Sequence, residues 1–199
     1  MTAQYSDCLQ LAGEYYALVG ITSDDCRPVL FDPRAHGMDP KSPSTACWRG
    51  YIAEYGLRDD RLVLENLEIH LARFSREYPT GPELNGVAPS RLPRSGGAAQ
   101  FNNYYYDVGL PLLFTGGLLL ARGFIEDLYE HMGFHPAWKY RTVFELAFRD
   151  GLLIAKHDRS TAMEEQRKAH IAEGGKDSNI YRSPEAMLQW IEKCFDRRY

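Results

Sequence analysis

Phe144-Glu145-Leu146-Ala147-Phe148-Arg149-Asp150-Gly151-Leu152-Leu153-Ile154 is the stretch that decides the fold class. Phe144, Leu146 and Phe148 alternate with other residues up to Arg149-Asp150-Gly151, and Leu152 and Ile154 continue beyond it. Period two places one set of side chains on one face of a strand, and Asp-Gly supplies the positive φ angles of a tight turn. The segment predicts a β-hairpin. A second hairpin is expected upstream, where Cys47 to Leu57 and Leu62 to Leu71 flank Arg58-Asp59-Asp60-Arg61. Leu62 and Leu64, then Leu67, Ile69 and Leu71, keep period two with one slip at Glu65-Asn66, where a β-bulge restores the register.

Working outward, Leu11 to Ile21 reads as a strand from its aromatic and β-branched content and its glycine stop at Gly20. Pro28, Pro33, Pro40 and Pro43 make the next segment irregular, since proline removes the donors that a helix or ladder uses. Pro79, Gly81, Pro82, Gly86, Pro89, Pro93, Gly96 and Gly97 mark residues 78–100 as a surface insertion carrying Arg91 and Arg94. Phe101 to Leu120 is strand material, with Tyr105 facing opposite to Tyr104 and Tyr106. Apolar residues at 125, 128, 129 and 132 predict a short helix from Ile125 to Met132. Ser160 opens a helical stretch with a thin apolar face (Ala162, Met163, Ala169, Ile171), expected to lie exposed. Ser183 and Pro184 begin a last helix whose stripe Met187, Leu188, Ile191, Cys194, Phe195 must dock on the rest. The expectation is an α+β fold: one domain over 1–199, a mainly antiparallel twisted sheet with a few packed helices, the insertion at 78–100 and a helical C-terminal segment 159–199.

The 199 residues carry 23 basic and 27 acidic side chains, for a net charge of −4, and the mean hydropathy is −0.42. A nucleic-acid binder usually shows a basic excess, so none is expected as a partner. No apolar run approaches the ~20 residues of a spanning helix, so no membrane association is expected either. Cys8, Cys26, Cys47 and Cys194 are scattered, and the first residues form neither a basic nor an apolar leader region. Free thiols in a cytoplasmic protein are the reading.

Cys47-Trp48-Arg49-Gly50-Tyr51, Asp60-Arg61-Leu62-Val63-Leu64, Thr115-Gly116-Gly117-Leu118 and His131-Met132-Gly133 carry a resemblance. Over Ser44 to Ala155 the chain resembles an uncharacterised group of small bacterial proteins. The resemblance implies that the first two stretches pair as strands ahead of a closing hairpin. It implies no reaction.

Arg49, read as a strand residue beside Gly50, offers a guanidinium to clamp a carboxylate or phosphate, or else pairs internally with an acid such as Glu54 or Glu68 or stacks on an aromatic. Cys47 reads as a small buried hydrophobe. His131 and His135 are four apart, but Gly133 and Pro136 interrupt the helix a metal pair needs, so no metal is expected and His131 is read as bonding a backbone carbonyl. No nucleophile elbow, phosphate loop or dinucleotide pattern occurs, and no cofactor or catalytic residue is assigned.

Two functions are weighed. The first is an interaction protein, an immunity or antitoxin-type inhibitor that occludes a toxin or effector, with Asp59, Asp60, Glu164 and Glu165 as acidic contacts. The second is a small enzyme or ligand-binding module between Trp48–Tyr51 and the His131 segment. There Arg49 would bind an anion, Tyr51 or His131 would exchange protons, and Glu54 would orient them.

Overall fold

A computed structural model describes residues 2–23, 29–71, 79–94, 100–131 and 133–172. In chain order the strands are β1 (Cys8–Leu11), β2 (Glu14–Thr22), β3 (Tyr51–Arg58), β4 (Arg61–Ile69), β5 (Asn103–Tyr105), β6 (Leu110–Pro111), β7 (Gly116–Phe124), β8 (Tyr140–Arg149) and β9 (Leu152–Asp158). Among the described residues one α-helix, α1 (Ser160–Ala172), follows them. The fold is α+β, dominated by one largely antiparallel sheet.

Strand neighbours run β3-β1-β2-β7-β8-β9-β4, and β3 pairs again with β4. The sheet therefore closes on itself as a seven-stranded barrel, with β5 and β6 added along β4. Among the named strands of the described residues, β1–β3 is the one parallel pair. Alternation sends Leu9, Leu18, Tyr51, Ala53, Tyr55, Leu62, Leu64, Leu118, Leu120, Leu146 and Phe148 to the inside, where all are buried in one cluster. This apolar interior is the main source of stability.

Both expected hairpins are present. Asp59 and Asp60 adopt positive φ at the β3–β4 turn, as do Asp150 and Gly151 at β8–β9. The register of β3 against β4 slips between Glu54↔Asn66 and Tyr55↔Leu64, leaving Glu65 as the bulged residue. Gly151 has φ +78°, and a Cβ there would collide with the Leu112 carbonyl.

Several expectations need correction. The strand expected over Leu11–Ile21 is present as β2 from Glu14, but Leu11 ends β1, because Ala12 and Gly13 take positive φ and fold β2 back on β1. The strand expected from Cys47 starts at Tyr51, after turns in which the Cys47 N–H donates to the Ser44 carbonyl and the Gly50 N–H to the Cys47 carbonyl. The Ile125–Met132 helix shrinks to a single 3-10 turn at Glu126–Leu128; Met132 is outside the described residues. Aromatic packing replaces the helix here, with Phe124 against Tyr129, His135 and Tyr140. α1 lies exposed along much of its length, Ala169 and Ile171 included, but it is anchored. Met163 is fully buried against Leu119, Ala121, Val143 and Trp138 on the outer wall, and Arg167 donates to the Trp138 and Tyr140 carbonyls. The helix expected after Ser183 lies outside the described residues.

Residues 79–94 of the insertion are laid onto the sheet. Ser90 pairs with Tyr104 at the edge of β5, and Leu84 enters the core. Leu146→Ala is expected to cost about 3 kcal/mol by leaving a cavity in the barrel, whereas Ile154→Ala, at a half-exposed site, stays within about 0.5 kcal/mol; urea unfolding of both variants measures the difference.

Candidate functional site

Asp7 stands immediately before β1 and is buried. Its carboxylate accepts from Arg49 Nη1 at 2.7 Å, Arg49 Nη2 at 2.6 Å and the Ala53 N–H at 2.6 Å. Arg49 is held on a turn because Gly50 has φ +84°, and a Cβ there would lie 2.6 Å from the Lys41 carbonyl oxygen. Glycine removes that clash, so the chain can bring the guanidinium inward. The Tyr51 ring lies 4.8 Å below it and the Phe134 ring 5.9 Å away.

Burial lifts the Asp7 carboxyl above the usual aspartate value, and Arg49 with the Ala53 N–H pulls it back. Burial works against the Arg49 charge as well, but Asp7 outweighs it and holds the guanidinium above its ordinary value. The two groups form a bidentate, charge-assisted pair in a mostly dry place.

Around this pair the chain gathers exposed aromatics. The relative exposures are 47% for Tyr5, 54% for Trp48 and 47% for Phe134, which is high for rings of this size. The segments carrying them are tied together. The Gln4 N–H donates to the Gly133 carbonyl at 2.8 Å, and the Tyr5 N–H to Ala46 at 2.9 Å. The Trp48 N–H donates to Gln4 Oε1 at 3.0 Å, and Arg49 Nη2 reaches the Tyr5 carbonyl at 3.4 Å. The segments that carry three exposed rings and Arg49 are thus joined by hydrogen bonds into one platform.

Of the other candidate residues, Tyr51 packs beside Arg49. Arg49 pairs with Asp7, not with Glu54 or Glu68. Tyr51 points inward, donates to the Phe31 carbonyl at 3.3 Å and is pushed up to about 12 by burial. Glu54, three residues further along β3, faces the outer wall beside Cys8 and Glu68, so it does not meet Tyr51. Burial, then the charge of Glu54, raises the Glu68 carboxyl. His131 is exposed, with Nδ1 3.5 Å from the Tyr129 hydroxyl rather than on a backbone carbonyl. Asp59 and Asp60 sit beyond the far end of β3, eight residues away from Arg49's end, or ~26 Å along an extended strand. Glu164 pairs with Lys168 at 2.7 Å on the exposed side of α1, next to Glu165.

Cys47 is buried, donating to the Tyr51 carbonyl at 3.4 Å, and burial raises its thiol. Cys8 is pushed up to about 12 by burial and by the charges of Glu54, Asp7 and Glu68. Among the described residues, no group of three His, Cys, Asp or Glu is placed to hold a metal ion. Nor is any helix of the described residues long and apolar enough to cross a membrane. No family model, curated protein or solved structure matches the chain.

Sequence reasoning missed Asp7, Tyr5 and Phe134. They belong to no periodic pattern, and only the three-dimensional meeting of residues 3–7, 46–53 and 133–134 makes them a unit. Arg49→Met is expected to lower stability by about 3 kcal/mol, because it strands a buried carboxylate. Asp7→Ala combined with Arg49→Met should cost less than the sum of the single changes, a coupling that a double-mutant cycle by chemical denaturation reads directly.

Proposed function

We propose that the chain is an interaction protein that docks a partner protein on the Tyr5–Trp48–Arg49–Phe134 surface and occludes it, in the manner of an immunity or antitoxin-type inhibitor. The observation that carries this is the presentation of three large exposed rings around an arginine that Asp7 holds in place. Protein interfaces are enriched in tryptophan, tyrosine and arginine at their energetic centres. Preorganisation adds to this, because a side chain already fixed loses little freedom when a partner arrives. Asp59 and Asp60 lie beyond the far end of β3 from this platform, and the reading rests on the aromatic surface and not on acidic steering.

The test is co-purification of the full chain from its native host, followed by affinity measurement with the partner recovered and an assay of that partner's activity. The proposal expects one stoichiometric protein whose activity falls on binding, and an affinity loss of about 30-fold or more for Trp48→Ala. Asp59→Asn is expected to leave the affinity within about twofold. A partner bound equally well by the Trp48 variant, or one whose activity is unaffected by binding, contradicts it.

A further inference from the structure

The segment that carries Phe134 is anchored by His135, whose ring is packed 4.6 Å from Phe124 and 5.2 Å from Tyr129. Both its nitrogens are buried without a hydrogen-bond partner. A neutral imidazole tolerates an aromatic cage as a flat, weakly polar ring. An imidazolium there carries a full charge and two N–H donors with no acceptor in reach.

Of the charged groups facing it, Lys139 opposes the imidazolium and Glu130 favours it, the first effect being the larger. The turn before β8 contributes Lys139, itself almost wholly buried and ion-paired with Glu130 at 3.0 Å. The segment's own titratable groups are Glu130, the Tyr129 phenol and His131, the last two in contact with each other. β8 contributes the Tyr140 phenol, which lies against Phe124. The N-terminal stretch opposite, Ala3–Gln4, brings no titratable side chain, and beyond Phe134 lies the Arg49 cation. Glu130 is the one acid among these groups, and Lys139 already uses it.

We infer that protonating His135 expels its ring from the Phe124–Tyr129 cage, frees the Gly133–Phe134 segment from Gln4 and Arg49, and so dismantles the aromatic platform. The device is an acid-sensitive clasp on the surface described above, and its use as a release switch rests on that surface being the docking face. The direction follows from linkage. Burial first, and then Lys139, hold His135 below its ordinary value of 6.5 while the segment is closed, and the open state restores that value. The open state therefore binds more protons as pH falls through 6.5, and closure weakens in acid.

The experiment is an NMR titration of the partner-free full chain between pH 7.5 and 5. It follows the His135 ring protons together with exchange of the Gln4 amide, which donates to the Gly133 carbonyl. Protection of Gln4, corrected for intrinsic exchange, is expected to fall at least tenfold as pH drops below 6.5, while amides in the β7–β8 ladder keep theirs. His135→Phe, which refills the cage with an uncharged ring, is expected to keep Gln4 protected across the whole range. Constant Gln4 protection in the native chain, or equal acid loss in the His135→Phe variant, overturns the clasp. Because no partner is present, failure of the docking surface leaves this result unchanged, and the two are told apart.

Discussion

A single carboxylate, that of Asp7, accepts three N–H groups from residues 49–53, and the organisation of this end of the molecule depends on it. β1 is only four residues long, and it meets β3 in parallel over two register pairs, Cys8↔Glu54 and Leu9↔Tyr55. That is a short seam for a closed barrel. A bidentate ion pair beside it fixes the approach of β1 to the turn ahead of β3. Its net contribution to stability is modest, since two charges must leave water to form it. Its structural effect is positional: the Ser44–Gly50 turn meets Asp7, Tyr5 and Gln4 together.

The seam between β4 and β9 is closed differently. β9 meets β4 at one register pair, Arg61↔Leu152, flanked by bonds from Leu62 N–H to Gly151 and from Leu153 N–H to Asp60. Beyond that point β6 and β5 occupy the edge of β4, and among the described residues no strand pairs with that side of β9. A bulge at Ile154 and the charges of Lys156 and Asp158 lie along it, the devices by which natural edges resist unwanted pairing. The barrel thus joins a fully packed apolar interior to two economical seams, one secured by a buried charge pair and one by a hairpin turn.

Local chemistry was legible in the sequence wherever turn residues and period two coincide. Asp59-Asp60 and Asp150-Gly151 mark hairpins that are present, and the slip at Glu65 is a real bulge. Barrel closure was not legible, because it depends on pairings between residues such as Leu9 and Tyr55 that are far apart in the chain. The apolar spacing at 125, 128 and 129 matches a helix, yet it serves an aromatic cluster whose partners come from β7 and β8. Glu145 falls on the face of β8 that alternation leaves for solvent, but α1 and Trp138 cover that wall, leaving the acid buried beside Arg159. Arg49 stands out in the sequence by its neighbours Trp48 and Gly50, but its partner Asp7 lies 42 positions away, beyond the reach of any local pattern.

The central claim, that the Asp7–Arg49 pair secures the β1–β3 seam and holds the platform, is tested most directly by native-state hydrogen exchange of the Arg49→Met chain beside the unaltered one. The account predicts that amides of β1, Trp48 and Ala53 lose protection selectively, while those in the β7–β8 ladder retain theirs relative to global unfolding. A uniform loss spread over the whole barrel, or unchanged protection at the β1–β3 seam, would contradict it.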